Sequence, residues 1–214
     1  MKKQKINVFL PCRQGSERIP KKNIKKFGDF EYGLLQNKIE QLLKVQLVEK
    51  IYVSTDDQII IDYLVSLKNE KIIIHKRDDN LCNSETSTDE LVKHAGELLP
   101  EGIILWTHVT SPFVNACVYD NMIESYLSSI KKSYDSLMSV TPIHGFIWNK
   151  GRPINYDRNI EKWPRTQSLE PLYDVNSAAF IADRKVYLNV QDRIGDKPYL
   201  FKLDKILSTD IDWE

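Results

Sequence analysis

Apolar residues along this chain follow two alternating patterns. Short blocks rich in Val, Ile and Phe, such as INVFL at residues 6–10, have the length and β-branched content of strands. Between them apolar residues return every three or four positions. In YGLLQNKIEQLLKV (32–45) this puts Leu34, Leu35, Ile39, Leu42 and Leu43 on one helical face. KIYVSTDD (50–57) then reads as a strand ending in polar residues, QIIIDYLVSL (58–67) as a helix and EKIIIHK (70–76) as a third strand. Ser87 and Glu90 have the spacing of a capping box that opens a helix over 86–99. GIILWTHV (102–109) predicts a buried strand, VYDNMIESYLSSIKK (118–132) a helix and YDSLMSVTP (134–142) another strand. This rhythm predicts an α/β fold, a mostly parallel twisted sheet with helices on both faces.

From Ile143 the rhythm stops. Residues 143–175 are rich in aromatics, Pro and Arg and show no period, and regular pattern resumes with SAAFIADR (177–184) and KPYLFKL (197–203). A long irregular stretch in a compact domain is usually functional, and exposed aromatics usually mark an interface. The chain therefore reads as a single domain, 1–214, with an excursion over 143–175.

Charge adds little globally. Thirty Lys and Arg balance thirty Asp and Glu, so no overall field attracts nucleic acid or an anionic membrane, and neither is expected as a partner. No apolar run approaches the ~20 residues of a membrane helix, and the basic start is followed by too short an apolar run for a signal peptide. Cys12, Cys82 and Cys117 give neither a disulfide framework nor metal-ligand spacing, which fits reduced thiols in a cytoplasmic protein.

Locally, charge is concentrated. Arg13, Arg18, Lys21, Lys22, Lys25 and Lys26 follow the first strand with Glu17 the one acid among them. Ligands of open α/β sheets bind at the carboxyl ends of strands. There Arg13 and Arg18 offer planar forks to phosphate oxygens, Gly15 and Ser16 allow close backbone approach, and Pro20 sets the chain direction. The loop is neither a P-loop nor a dinucleotide fingerprint. A solvated basic turn is the alternative. Far along the chain, STDIDWE places Asp210 and Asp212 on one side of an extended segment, a pair of hard oxygen ligands suited to Mg2+ or simply two exposed acids.

Taken together these residues resemble the acylneuraminate cytidylyltransferases, which make CMP-sialic acids and related sugar nucleotides. The opening R-x-G-S-x-x-x-P-x-K-N is matched by Arg13, Gly15, Ser16, Pro20, Lys22 and Asn23. S-T-D-D is Ser54 to Asp57, the Ser/Thr-rich stretch before a helix is Thr86 to Asp89, and T-S-P is Thr110 to Pro112. R-x-Q-x-L with a later Asn is Arg165, Gln167, Leu169 and Asn176, and the closing D-I-D is Asp210 to Asp212.

The resemblance implies a Rossmann-like nucleotidyltransferase that takes CTP and a nonulosonic acid, uses Mg2+ and works as a homodimer. In that reading Arg13, Lys22, Asp210 and Asp212 are catalytic, and Asp210 and Asp212 hold the metal. Gly15, Ser16, Asn23, Ser87 and Thr88 join Arg13 and Lys22 on the nucleotide. His108, Thr110, Ser111, Arg165, Gln167 and Asn176 fall to the sugar, and the excursion makes the dimer contact. Arg165 either pairs with the sugar carboxylate or stacks on Trp163. The chain departs from the family pattern at Glu17–Arg18, at NSAAF and at His108, which stands where the family has Gln and could change charge near neutral pH. These changes gather at the sugar side and point to an acceptor other than N-acetylneuraminic acid. The competing readings are a nucleotidyltransferase for a Kdo-like acid or a sugar phosphate, and a non-catalytic nucleotide-binding relative.

Overall fold

The computed structural model describes residues 5–15, 19–83 and 85–212. Strand β1 (Ile6–Cys12) alternates its side chains between two separate hydrophobic cores: Ile6, Val8 and Leu10 enter one, Phe9 the other. The same split runs through β4 (Ile103–Trp106), where Ile103 and Leu105 face one core and Ile104 and Trp106 the other. A strand buried on both faces needs an uninterrupted apolar block, as these sequences have. The first core takes helices α1 (Gly33–Lys44), α2 (Gln58–Ser66) and α4 (Ala116–Ile130); the second takes α3 (Thr88–Leu98) and α5 (Arg184–Asn189). Helices therefore cover both faces of the sheet.

The remaining strands are β2 (Lys50–Thr55), β3 (Ile72–Lys76), β5 (Ser136–Ile143), β8 (Leu172–Asp183) and β9 (Pro198–Lys202), with β6 (Trp148–Asn149) and β7 (Arg152–Pro153) forming a small separate hairpin. The seven-stranded order is β3-β2-β1-β4-β8-β5-β9. All neighbours are parallel except β8, which runs antiparallel to both β4 and β5. From β1 the chain moves to β2 and β3 on one side, then returns to β4 on the other. The β1–β4 boundary is therefore a topological switch point.

Helix starts follow the sequence signals. Ser87 caps α3 in a reciprocal capping box with Glu90, Asp57 accepts the Ile59 N–H at 2.9 Å to open α2, and Asn115 caps α4. Among the described residues no helix is long and apolar enough to cross a membrane.

Two features depart from the expected pattern. β8 begins at Leu172, inside the stretch expected to be irregular, because it pairs with β5 out to Ile143. Its register jumps from Phe180 opposite Met138 to Val175 opposite Val140, so Asn176–Ala179 form a bulge. Ser139 holds the bulge, donating to Asn176 Oδ1 at 2.6 Å and accepting the Ala179 N–H at 2.9 Å.

The excursion also packs on itself. Phe146 meets Tyr156 and Trp163 edge-on, each at 5.3 Å between ring centroids. Buried Asn155 donates to the carbonyls of Gly145 and Glu170 and accepts the Ile147 N–H, tying the ends of the excursion together. The β6–β7 turn takes positive φ at Lys150 and Gly151, as a two-residue hairpin requires.

Candidate functional site

A cleft of about 390 Å³ opens at the carboxyl ends of β1 and β4, lined by Pro11, Arg13, Lys22, Asn23, His108, Val109, Thr110, Ser177, Asp210 and Asp212. Its basic wall is the loop after β1. That loop is tied down on several sides: Gln14 N–H donates to Asp56 Oδ1 at 2.8 Å, Asn23 donates to the Arg13 carbonyl at 3.0 Å, and Leu35 N–H of α1 donates to the Asn23 carbonyl at 2.8 Å. Gly33 lets the start of α1 approach the backbone of the same loop. Its φ is +58, and a Cβ there would stand 2.2 Å from the Lys25 carbonyl oxygen. Arg13 donates Nη1 to the Asn83 carbonyl at 3.1 Å, which aligns the guanidinium from behind. A Cβ at Gly15 would meet nothing within 4 Å, so the backbone there is open to approach. Ser16 and Arg18 lie outside the described residues.

The S-T-D-D residues hold this wall. Buried Arg77 donates to the hydroxyl and carbonyl of Ser54 at 3.1 and 2.7 Å, fixing the end of β2 from which Asp56 reaches Gln14.

The acidic wall comes from the other end of the fold. Ile211 N–H donates to the Thr110 carbonyl at 2.8 Å, so the extended 210–212 segment lies along the loop after β4. Lys22 Nζ then meets Asp212 Oδ1 at 2.8 Å, joining the two walls. Asp210 is exposed overall, but its carboxyl is partly desolvated and its pKa is raised, and the charge of Asp212 raises it further; a hydrogen bond from Thr110 and the charge of Lys22 pull it down. Two carboxylates that repel each other at the mouth of one cleft are a donor set that a divalent cation relieves. The residues present therefore fit Mg2+. Among the described residues no group of three or more His, Cys, Asp or Glu forms a metal cluster.

Between the walls, His108 is half-buried and accepts the Trp106 indole N–H on Nε2 at 2.8 Å. Burial, then the charges of Arg193 and Lys38, push its pKa down to about 3, so the ring is neutral at physiological pH. The change of charge near neutral pH expected from the sequence is thereby corrected. With Nε2 occupied as an acceptor and the proton on Nδ1, His108 is a hydrogen-bond donor and not a base.

The other expected site residues are distributed differently. Ser111 is buried, and its carbonyl accepts from Lys38 at 2.8 Å behind the cleft. Asn176 spends its amide on the bulge, accepting from Ser139 and donating to Thr141 at 3.0 Å, while its neighbour Ser177 lines the cleft. Ser87 and Thr88 are exposed at the start of α3, with the Ser87 hydroxyl engaged by Glu90, and neither lines the cleft. Arg165 and Gln167 are exposed on the excursion, also away from the cleft lining. Asn83 carried no motif of its own, and Ser177 stood out only as part of the NSAAF departure. A bulge and a loop carbonyl leave no trace in hydrophobic periodicity.

Behind the cleft lies a fully buried lysine. Lys38 of α1 donates to the Ser111 carbonyl and, at 2.6 Å, to the Tyr119 hydroxyl, which also bonds Thr107 at 2.8 Å. Burial lowers the Lys38 pKa to about 7. The folded protein therefore holds fewer protons than the unfolded chain between about pH 7 and the ordinary lysine value near 10.4. The cost of the buried charge is fully present below pH 7 and fades as pH rises toward the unfolded value. Lys38→Met should remove this rise in stability, as measured by urea unfolding between about pH 6.5 and about pH 9.5. An unchanged pH slope would show that Lys38 does not titrate in that range.

A switch-point cleft with a cationic loop facing paired carboxylates is a setting suited to a nucleotide's phosphates. The cytidylyltransferase profile matches residues 8–151, and the chain belongs to that family, as a CTP-dependent nucleotidyltransferase. A pseudaminic acid cytidylyltransferase of Campylobacter jejuni is 27% identical over 211 residues, covering 95% of this chain and 89% of its own. An N-acylneuraminate cytidylyltransferase of Escherichia coli is 28% identical over 221 residues, covering 97% of this chain but 49% of its own length. In fold, the chain is similar to CMP:2-keto-3-deoxy-manno-octonic acid synthetase, with a TM-score of 0.68 at 18% identity over 98% of this chain and 93% of that one.

Proposed function

We propose that the protein transfers CMP from CTP to the anomeric hydroxyl of a nonulosonic, sialic-acid-like sugar acid. The observation that carries this reading is the Lys22–Asp212 contact, which closes a phosphate-binding loop and a carboxylate pair around one cleft. The relatives that align along nearly the whole chain are named for pseudaminic and N-acylneuraminic acids, which favours a nonulosonic acceptor.

In this reading the triphosphate of CTP lies on Arg13, Lys22 and Asn23, with the open backbone at Gly15 against its oxygens. The cytosine would extend beyond the cleft lining toward Ser87 and Thr88 at the exposed start of α3. Asp210 and Asp212 would hold Mg2+, which when bound supplies charge neutralisation for the phosphates. His108 and Thr110 face the sugar, with Ser177 beside them; Ser111 and Asn176 serve as the frame behind. The anomeric oxygen forms its bond to the α-phosphorus as the bond from that phosphorus to the pyrophosphate oxygen breaks, and the hydroxyl proton leaves to solvent. Alignment and charge neutralisation carry such a step, so no covalent nucleophile is required.

Residues 143–175 would form a homodimer contact in a cytoplasmic enzyme and bring Arg165 and Gln167 toward the partner's sugar carboxylate. Ile160 and Trp163, 86% and 63% exposed, support an apolar contact there. Ile160→Asp with Trp163→Asp should convert a dimer to monomers in sedimentation equilibrium. A wild type that is already monomeric, or a doubly substituted protein that stays dimeric, counts against this contact.

The reaction is tested by pyrophosphate release from CTP and Mg2+ with pseudaminic, N-acylneuraminic and 3-deoxy-manno-octulosonic acids in turn. Release with a nonulosonic acid supports the proposal. Release with the octulosonic acid alone moves the assignment to a Kdo-like acceptor, and failure to bind CTP at all removes it.

A further inference from the structure

The geometry points to Trp106 as a positioning residue that locks His108 into one tautomer, so that the cleft presents a permanent N–H donor and selects an acceptor sugar with an oxygen at that point. The inference rests on the proposed sugar side of the cleft for its consequence, though not for its geometry.

An indole nitrogen can only donate, so the 2.8 Å contact from Trp106 Nε1 obliges His108 Nε2 to accept. A neutral imidazole then carries its proton on Nδ1. That atom has no hydrogen-bond partner among the described residues and is not among the buried polar atoms left without one. His108 lines the cleft, so its spare donor opens there.

Trp106 itself has little freedom to turn away. It is 1% exposed, meets Phe9 edge-on at 4.7 Å between centroids, and lies parallel to the Tyr187 ring at 6.5 Å. The Arg193 guanidinium lies 3.9 Å from the Phe180 ring centroid and 5.3 Å from that of Trp106, closing the remaining side and placing a positive charge that disfavours a second proton on His108. His108 follows Trp106 by two residues, just past the end of β4, and the two ring centroids lie 6.0 Å apart.

A Gln at this position could rotate its amide and serve either as donor or acceptor. The locked His cannot. A substrate group that only donates would leave two donors facing each other, whereas a hydroxyl, acyl or carboxylate oxygen is matched.

Two measurements decide the inference. The first is the 15N spectrum of the His108 ring, read without substrate. The wild type should show Nδ1 as the protonated nitrogen, and Trp106→Phe should give a mixture of tautomers. Nε2 protonated in the wild type, or an unmixed Nδ1 tautomer in Trp106→Phe, overturns the lock. If Trp106→Phe does not fold, the wild-type spectrum alone still decides.

The second compares kcat/KM for the accepted sugar acid and a series of its single-deoxy analogues, in wild type and in His108→Phe. One deoxy analogue should lose roughly 10-fold or more in the wild type and no further in His108→Phe, with the KM for CTP unchanged in both. Equal losses for every analogue in the two proteins overturn the selectivity. If none of the sugar acids reacts, the proposed function fails while the spectrum still reports on the lock.

Discussion

Asp212→Ala will abolish Mg2+-dependent turnover, lowering kcat by roughly 1000-fold or more, and will leave the melting temperature close to that of the wild type. The first half follows from the cleft. Charge neutralisation on a transferring phosphoryl group is worth several kcal/mol, and each 1.36 kcal/mol is about tenfold in rate. Asp212 and Asp210 are the carboxylates lining the cleft, and removing one leaves Asp210 alone opposite Lys22. The second half follows from exposure. The Asp212 side chain is 43% exposed, and an ion pair in that setting contributes no more than about 1 kcal/mol to stability. Steady-state kinetics over a Mg2+ series, beside thermal unfolding, checks both. Full turnover in Asp212→Ala would remove the metal assignment, and a large loss of stability would recast Asp212 as structural. Asp212→Asn sharpens the test, because it keeps the side chain's size and acceptor oxygen but removes the charge.

Arg13→Ala is expected to weaken CTP binding by about 10- to 100-fold, the range for losing a charge-assisted hydrogen bond or two. The guanidinium is half-buried, lines the cleft, and is held by the Asn83 carbonyl on the side away from it. Arg13→Lys should recover little. An ammonium can offer a point charge, but it cannot bond the Asn83 carbonyl and a phosphate in the fixed plane of a fork. Calorimetric titration with CTP measures the change directly. Unaltered affinity in Arg13→Ala would return residues 13–26 to a solvated basic turn.

Much of the fold is legible in the sequence because strands buried on both faces must be apolar without interruption. β1 and β4 meet that condition, and Ser87 with Glu90 marks the start of α3 as read. β8 does not announce itself. Its first half carries Tyr173, Asp174 and Asn176, and its bulge breaks the two-residue period, so the pattern reveals the strand only from Ser177 onward. The cleft shows the same division. Arg13, Lys22, Asn23, His108, Thr110, Asp210 and Asp212 are visible as charged or polar motifs at strand ends, and the structure gathers all of them into one lining. Asn83 and Trp106 are not visible, because what matters in each is a backbone carbonyl or a ring orientation, and Ser177 shows only as a departure at NSAAF without the bulge that aims it. Ser111 and Asn176 stand in recognisable motifs but turn into the frame, a distinction set by burial and by partners far away in sequence.

The join between Lys22 and Asp212 spans 190 residues. Bringing two points that far apart together in a disordered chain costs about 4–5 kcal/mol in loop-closure entropy alone. The sheet removes most of that distance by setting β1 beside β4 and laying Ile211 on Thr110, so the contact forms cheaply only after the sheet has formed. Competence would then be the last property this protein acquires as it folds. Molecules with both cores intact and residues 210–212 undocked would look native to fluorescence and circular dichroism while lacking half of their working cleft.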